Sequence, residues 1–300
     1  MSSAPTVTDA AGPMPWVPDG SMLDLGDGRD LFVRDSGGPP GAPTLVLLHG
    51  WMATADLNYG FTYAALAEEF RVVAFDQRGH GRGLRNGAKF SFARGADDVV
   101  DVLDALGIDR AVAVGYSMGG PVALQFARRH PSRAAGLVLC ATAARFSRSP
   151  LTRTALAPVG ALIGATSLVP DSRLRTAARR RFISRRATGR YSAWITEQLA
   201  PSDPSTVAQA GVALGRFDAS RWCGSIDTAT ASIVTVDDTL VAPANQRALA
   251  RSIPGASVFE VTGGHTTCFD HPEVFTPVLL DACGSLADRG DAPVRSGRYG

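Results

Sequence analysis

VAVGYSMGGPVAL, residues 112–124, passes without an intervening loop from an apolar, β-branched run into a helical pattern that continues through Phe126 and Ala127. At the junction stands Gly115-Tyr116-Ser117-Met118-Gly119. A strand-to-helix turn this sharp holds its central residue in strained backbone geometry and needs small residues two positions before and after it. Gly115 and Gly119 meet that need. The turn predicts that Ser117 Oγ stands exposed at the C-terminal edge of a sheet, at the N-terminus of a helix whose dipole favours negative charge. Gly and Ser are common loop residues, so the pentad alone is a modest signal; its position between strand and helix favours a nucleophile over a plain turn.

Working outward, short apolar runs recur at 44–50 (TLVLLHG), 71–79 (RVVAFDQRG), 136–142 (GLVLCAT), 232–238 (SIVTVDD) and 257–264 (SVFEVTGG). Runs apolar at nearly every position suit strands buried on both faces of a parallel sheet. Between two of them, ADDVVDVLDALGI (96–108) sets Val99, Val102, Leu103 and Leu106 at helical spacing, with Asp97, Asp98, Asp101 and Asp104 largely on the other face. Strand, helix, strand is the rhythm of an α/β fold with right-handed crossovers.

About ninety residues separate the 136–142 and 232–238 runs, far more than one crossover helix requires, so a segment is inserted there. The sequence divides into a core at 21–144 and 223–285, an inserted helical cap at 145–222, and loose tails at 1–20 and 286–300. From Arg145 to Arg190 there are eleven arginines against one acid, Asp171. That run reads either as a solvated helical face or as a cap that attracts an anionic substrate or an acidic partner surface.

A chain of 300 residues that is 45% hydrophobic can bury a large core. Its 30 basic and 28 acidic residues leave a formal charge of +2, too balanced to imply nucleic acid as the main partner. The first twenty residues lack a basic start and a continuous apolar core, so they do not read as a secretory signal, and a cytoplasmic location is expected. The most apolar stretch, 155–169, is interrupted by Pro158, Gly160 and Gly164 and falls short of the roughly 20 residues that span a bilayer. Cys140, Cys223, Cys268 and Cys283 are far apart with no C-x-x-C pair, which argues for reduced thiols over a disulfide framework or a zinc site. No histidine-carboxylate cluster suggests a metal, and no cofactor is required.

A serine hydroxyl needs a base, itself held by a third group. His265 follows the 257–264 run, so its loop opens on the same sheet edge as Ser117. His271, at the start of a last helix, is a weaker candidate; His130 reads as a structural cap at a helix end and His49 as a hydrogen-bonded scaffold. The acid comes from the loop after the 232–236 strand, which carries both Asp237 and Asp238, because the loop after 136–142 has no carboxylate. Backbone N–H groups of Met118, next to the nucleophile, and of Trp51, in the loop after the first apolar run, are the expected oxyanion donors.

Taken together, HGW (49–51), DQRGHGRG (76–83), GYSMGG (115–120), DDTLVAP (237–243) and GGH (263–265) resemble, in order, the motifs of the α/β-hydrolase superfamily. The resemblance covers residues 22 to 285. It implies a mostly parallel eight-stranded sheet with helices on both faces and a variable cap after the sixth strand. The family's D-x-x-V-P pattern aligns Asp238 three residues before Val241, although Pro243 comes one residue late, which leaves Asp237 a minority claim. Gly83 departs from a motif in which many relatives carry serine. The expected activity is cleavage of a small acyl ester by a Ser117–His265–Asp238 triad; thioesterase, carbon–carbon hydrolase or perhydrolase chemistry would use the same groups. A serine at position 117 disfavours epoxide and haloalkane hydrolysis, which use an aspartate there. A non-catalytic ligand receptor on the same fold is the competing class.

Overall fold

The computed structural model describes residues 15–85, 87–146 and 202–287. Two N-terminal strands, β1 (Gly20–Asp24) and β2 (Asp30–Asp35), precede six that match the apolar runs. These are β3 (Thr44–Leu48), β4 (Arg71–Phe75), β5 (Ala111–Tyr116), β6 (Ala134–Cys140), β7 (Thr230–Thr235) and β8 (Ser257–Val261). They form one sheet in the order β1-β2-β4-β3-β5-β6-β7-β8. The last six are parallel to one another, and β1 and β2 join antiparallel.

Along β3 the side chains alternate between two cores. Leu45 and Leu47 pack on one face with α1 (Ala55–Tyr59), α2 (Tyr63–Glu69) and the last helix, α7 (Pro272–Ala287). Val46 and Leu48 pack on the other with α3 (Phe92–Ala105), α4 (Gly119–Arg129), α5 (Pro204–Arg216) and α6 (Pro243–Ser252). All four β3 residues are fully buried, so truncating any one to Ala would cost about 2–5 kcal/mol. Burial on both faces is the reason that 45–48 contains no polar residue, while the half-buried Thr44 stands at the strand's start. By contrast β1 is mostly exposed and β2 buries only Leu31 and Val33, so neither reads as a continuous apolar run.

Helix α3 begins where Ser91 Oγ accepts the N–H of Arg94 at 3.2 Å. One of its acids does not face solvent as its spacing suggested: Asp98 is buried and paired with Arg78 at 2.5 Å. Burial raises its carboxyl above the ordinary range despite that guanidinium. Asp97 does face outward, where it meets Arg129 and His130. His130 is thus structural, but through this carboxylate at 2.8 Å, while its backbone N–H caps the Phe126 carbonyl.

The N-terminal strands are wired into the centre through a buried carboxylate. Arg34 of β2 grips Asp56 of α1 with two bonds of 2.7 and 2.8 Å, and Arg82 adds a third of 2.8 Å. Burial alone would raise the Asp56 carboxyl, yet the two arginines hold it below its ordinary value.

Between β6 and β7, Arg145 and Asp218 form an antiparallel bridge and an ion pair, and Ala219 N–H donates to Ala144 O at 2.8 Å. The Ser220 hydroxyl and then Arg145 lower the Asp218 carboxyl to about 2. Just before Asp218, α5 carries Pro204 in its first turn, and Asp203 Oδ1 accepts the Ser205 N–H at 2.8 Å. Most of the arginine-rich run and the apolar stretch 155–169 lie outside the described residues. Among the described residues, no helix is long and apolar enough to cross a membrane.

Candidate active site

Four loops at the C-terminal ends of parallel strands carry the residues singled out by sequence: Trp51 follows β3, Ser117 follows β5, Asp238 follows β7 and His265 follows β8. In open α/β sheets that edge is where ligands bind.

Ser117 has φ +51°, a left-handed conformation that side chains rarely adopt. Its backbone is fixed on both sides: its N–H donates to Cys140 O at 2.8 Å, and its carbonyl accepts from Thr142 Oγ1 at 2.8 Å and Gly120 N–H at 3.0 Å. The turn has no room for side chains beside it. A Cβ on Gly115 would stand 2.5 Å from Gly119 O, and one on Gly119 would stand 2.0 Å from Leu48 O. The strain at Ser117, of order 1–3 kcal/mol, is sustained by these contacts.

The structure brings Ser117, His265 and Asp238 into one hydrogen-bonded line. His265 Nε2 is 2.9 Å from Ser117 Oγ, and Nδ1 is 2.7 Å from Asp238 Oδ2. With Nδ1 donating to the carboxylate, Nε2 is left to accept from the hydroxyl. Tyr116 ties down the His265 backbone, its hydroxyl donating to His265 O at 2.8 Å.

The two adjacent aspartates separate cleanly. Asp238 is 4% exposed and accepts from the N–H groups of Leu240 (2.8 Å) and Val241 (2.9 Å), from Thr235 Oγ1 (2.9 Å) and from Gln246 Nε2 (3.1 Å), besides His265. Burial works to raise its carboxyl, but His265 and these donors hold it below the usual carboxylate range. Asp237 is exposed and accepts the Gly263 N–H at 3.1 Å, fastening the loop that carries His265. His271 is also exposed, beside Glu273, and is not part of this line.

His49 is a buried scaffold. Its Nε2 accepts the Gln77 N–H at 2.7 Å, which leaves Nδ1 to donate to Gly50 O at 2.7 Å. Burial lowers its basicity, so it stays neutral. Asn58 Oδ1 accepts the Gly50 N–H at 2.6 Å, and the loop therefore enters Trp51 from a fixed position beside Ser117. Among the described residues neither Trp51 N–H nor Met118 N–H donates to a protein acceptor, so both are free for a ligand oxygen. Gly83 is explained by space: a Cβ there would stand 2.3 Å from Gln77 O and 2.4 Å from Asp76 O. With this backbone, serine does not fit.

Gln246 escapes the motif reading. Yet Gln246, Leu249, Ala250 and Ile253 share the i, i+3, i+4, i+7 stripe of the segment after Pro243, and all four are buried. A lone amide on an otherwise apolar stripe is the signal that marks it.

Comparison with known proteins agrees with this fold. Residues 43–164 match the family described as alpha/beta hydrolase fold. A protein of Caulobacter vibrioides, provisionally named a carbamate hydrolase, is 31% identical over 265 residues, which cover 86% of this chain and 97% of that one. A bifunctional esterase/perhydrolase of Acinetobacter calcoaceticus is 40% identical over 106 residues, 35% of this chain and 38% of that one. The crystal structure of an enol-lactonase from Burkholderia xenovorans superposes with a TM-score of 0.72 at 26% identity, covering 87% of this chain and 99% of that one.

Proposed function

The chain belongs to the alpha/beta hydrolase family, and on that premise we propose that it is a serine hydrolase cleaving carboxylic esters through an acyl-enzyme. The observation that carries this reading is the line from Ser117 Oγ through His265 to Asp238, at 2.9 and 2.7 Å, with the serine held at a strained turn.

Ser117 Oγ attacks the ester carbonyl carbon while His265 Nε2 takes the hydroxyl proton. Asp238 fixes the imidazole tautomer and stabilises the imidazolium, and its own hydrogen bonds keep it ionised. The carbonyl oxygen becomes an oxyanion facing the N–H groups of Met118 and Trp51. Collapse breaks the bond to the alkoxy oxygen, which leaves with the proton from His265. Water then attacks the acyl-enzyme, gives its proton to His265, and the carboxylic acid departs as Ser117 recovers its proton.

The relative provisionally named a carbamate hydrolase favours a second reading, in which the carbonyl attacked is that of a carbamate. The same groups serve, and an amine or alcohol leaves. Aryl esters of graded chain length, assayed beside thioesters and a carbamate with the Ser117→Ala protein as control, separate the classes. Fluorophosphonate should label Ser117 in the folded protein and fail after denaturation. Turnover that survives Ser117→Ala in pure protein, or a folded protein that never labels, overturns the reading, and the latter favours a non-catalytic receptor.

A further inference from the structure

Trp51 does more than lend a backbone N–H. Its indole Nε1 donates to Val207 O at 2.8 Å, reaching across 156 positions of sequence to helix α5. One turn further along that helix is Gly211, and a Cβ there would stand 2.6 Å from Trp51 Cζ2 and 3.2 Å from both Cε2 and Cη2. Residues four apart lie one above the other on a helix face, so the indole rests along one turn of α5 with its N–H on the first residue and its ring against the bare backbone of the other. Any side chain at 211 would push the ring away.

Helix α5 is itself anchored. Val207, Ala210 and Leu214 are buried; Asp203 N–H donates to Gly79 O at 2.8 Å, and Gln209 Oε1 accepts the Phe90 N–H at 3.0 Å. It lies in the later part of the long connection between β6 and β7. The other side of Trp51 is held by the core, through Asn58 on Gly50 and Gln77 on His49. The Trp51 N–H is therefore aimed by two bodies: the sheet fixes the chain entering it, and α5 fixes its side chain.

We infer that the Val207–Gly211 turn of α5 is a positioning element for the oxyanion donor Trp51, so that the connection between β6 and β7 sets how well the site stabilises negative charge. This rests on the serine-hydrolase reading above. Neither Val207 nor Gly211 contacts the reacting atoms; both act through the indole. Deleting an oxyanion donor costs on the order of 10²–10³ in rate, and misaiming one should cost a substantial part of that.

The test uses the full chain with Gly211→Ala and Trp51→Phe, the second keeping the ring and the backbone N–H while removing the bond to Val207. With an aryl ester, kcat should fall about tenfold or more in Gly211→Ala and severalfold in Trp51→Phe, with KM changed less than twofold. Affinity for an aryl trifluoromethyl ketone, whose adduct with Ser117 carries an oxyanion, should fall by the same factor as kcat/KM, with the pH profile unmoved. An unchanged kcat, or a fall in kcat without the matching loss of ketone affinity, overturns the inference. If Gly211→Ala does not fold, Trp51→Phe decides by the same criteria. Failure of the hydrolase reading is separate, because it appears in the wild-type protein as absent Ser117 labelling or in Ser117→Ala as surviving turnover.

Discussion

The side-chain amide of Gln246 donates to the carboxylate of Asp238 at 3.1 Å, and the same nitrogen lies 2.9 Å from Thr235 Oγ1 and 2.7 Å from Val241 O. Its oxygen accepts the Thr235 N–H at 3.1 Å. One buried side chain thus ties the end of β7, the acid and the loop beyond it. Gln246→Leu should lower stability by about 1–3 kcal/mol, because it strips a donor from a buried carboxylate and leaves the Thr235 N–H unpaired. It should also reduce kcat more than it raises KM, since Asp238 acts on the imidazole and not on bound ester. Urea denaturation beside steady-state kinetics checks both; unchanged kcat in a destabilised variant would make Gln246 purely structural.

Asp238→Asn should lower kcat by several orders of magnitude, because an amide in that setting stabilises the wrong imidazole tautomer. Asp237→Asn should retain most of the rate, since its carboxylate only receives the Gly263 N–H. The reverse ranking would mean that the acid was assigned one residue out of register.

The stability difference between wild type and Asp238→Asn should depend on pH in a defined direction. The folded carboxyl titrates below its unfolded value of about 3.9, so its contribution is fully present above that value and is lost as pH falls through the lower folded one. The gap in melting temperature between wild type and Asp238→Asn should therefore be full at pH 7 and shrink on strong acidification. A gap that widens on acidification would contradict the hydrogen-bonded, ionised Asp238.

His80 is fully buried, 5.3 Å from the His49 ring centroid, and burial followed by the neighbouring histidine lowers it to about 3. The unfolded chain therefore takes up this proton first, and stability is lost as pH falls from about 6.5 toward 3, by up to about 1.4 kcal/mol per unit. His80→Phe should flatten the urea midpoint between pH 6.5 and 4.5 relative to wild type. Parallel curves would show that this histidine does not govern acid unfolding.

At position 117 the usual ranking of alanine over glycine should reverse. Because φ is +51°, Ser117→Ala keeps the strained geometry while Ser117→Gly relieves about 1–2 kcal/mol, more than the extra chain entropy of glycine takes back. Both variants should be inactive, and the glycine variant should melt higher.

What the sequence disclosed followed from how strongly each feature constrains residue choice. A strand buried on both faces is largely apolar, so β3 to β6 stood out most clearly; β7 is buried throughout but carries Thr230, Ser232 and Thr235, and β8 exposes Val258 and Glu260, while β1 and β2 bury alternate positions at most and were expected only by resemblance. Ser117 was legible because its turn demands Gly115 and Gly119, and His265 because few histidines stand at that edge. Asp238 over Asp237 is a matter of register that spacing alone leaves open; in the structure five donors converge on Asp238. Gln246 left a faint local signal, a lone amide on an apolar helical stripe, whereas Asn58 and the Val207–Trp51 bond depend on long-range packing, which a local pattern does not encode. Asp98 looked like a solvent-facing acid because its partner, Arg78, comes from another loop.

The grip of Arg34 on Asp56 bears on how this chain could be shortened. Asp56 lies on the helix immediately after the loop bearing Trp51, and two guanidiniums from distant stretches neutralise it. Trimming the N-terminal hairpin to obtain a minimal scaffold would remove one of them and leave a buried charge with a single counterion next to the catalytic edge. An edge hairpin that looks expendable is in this respect a keystone, and a truncation series should lose expression abruptly once Arg34 is gone.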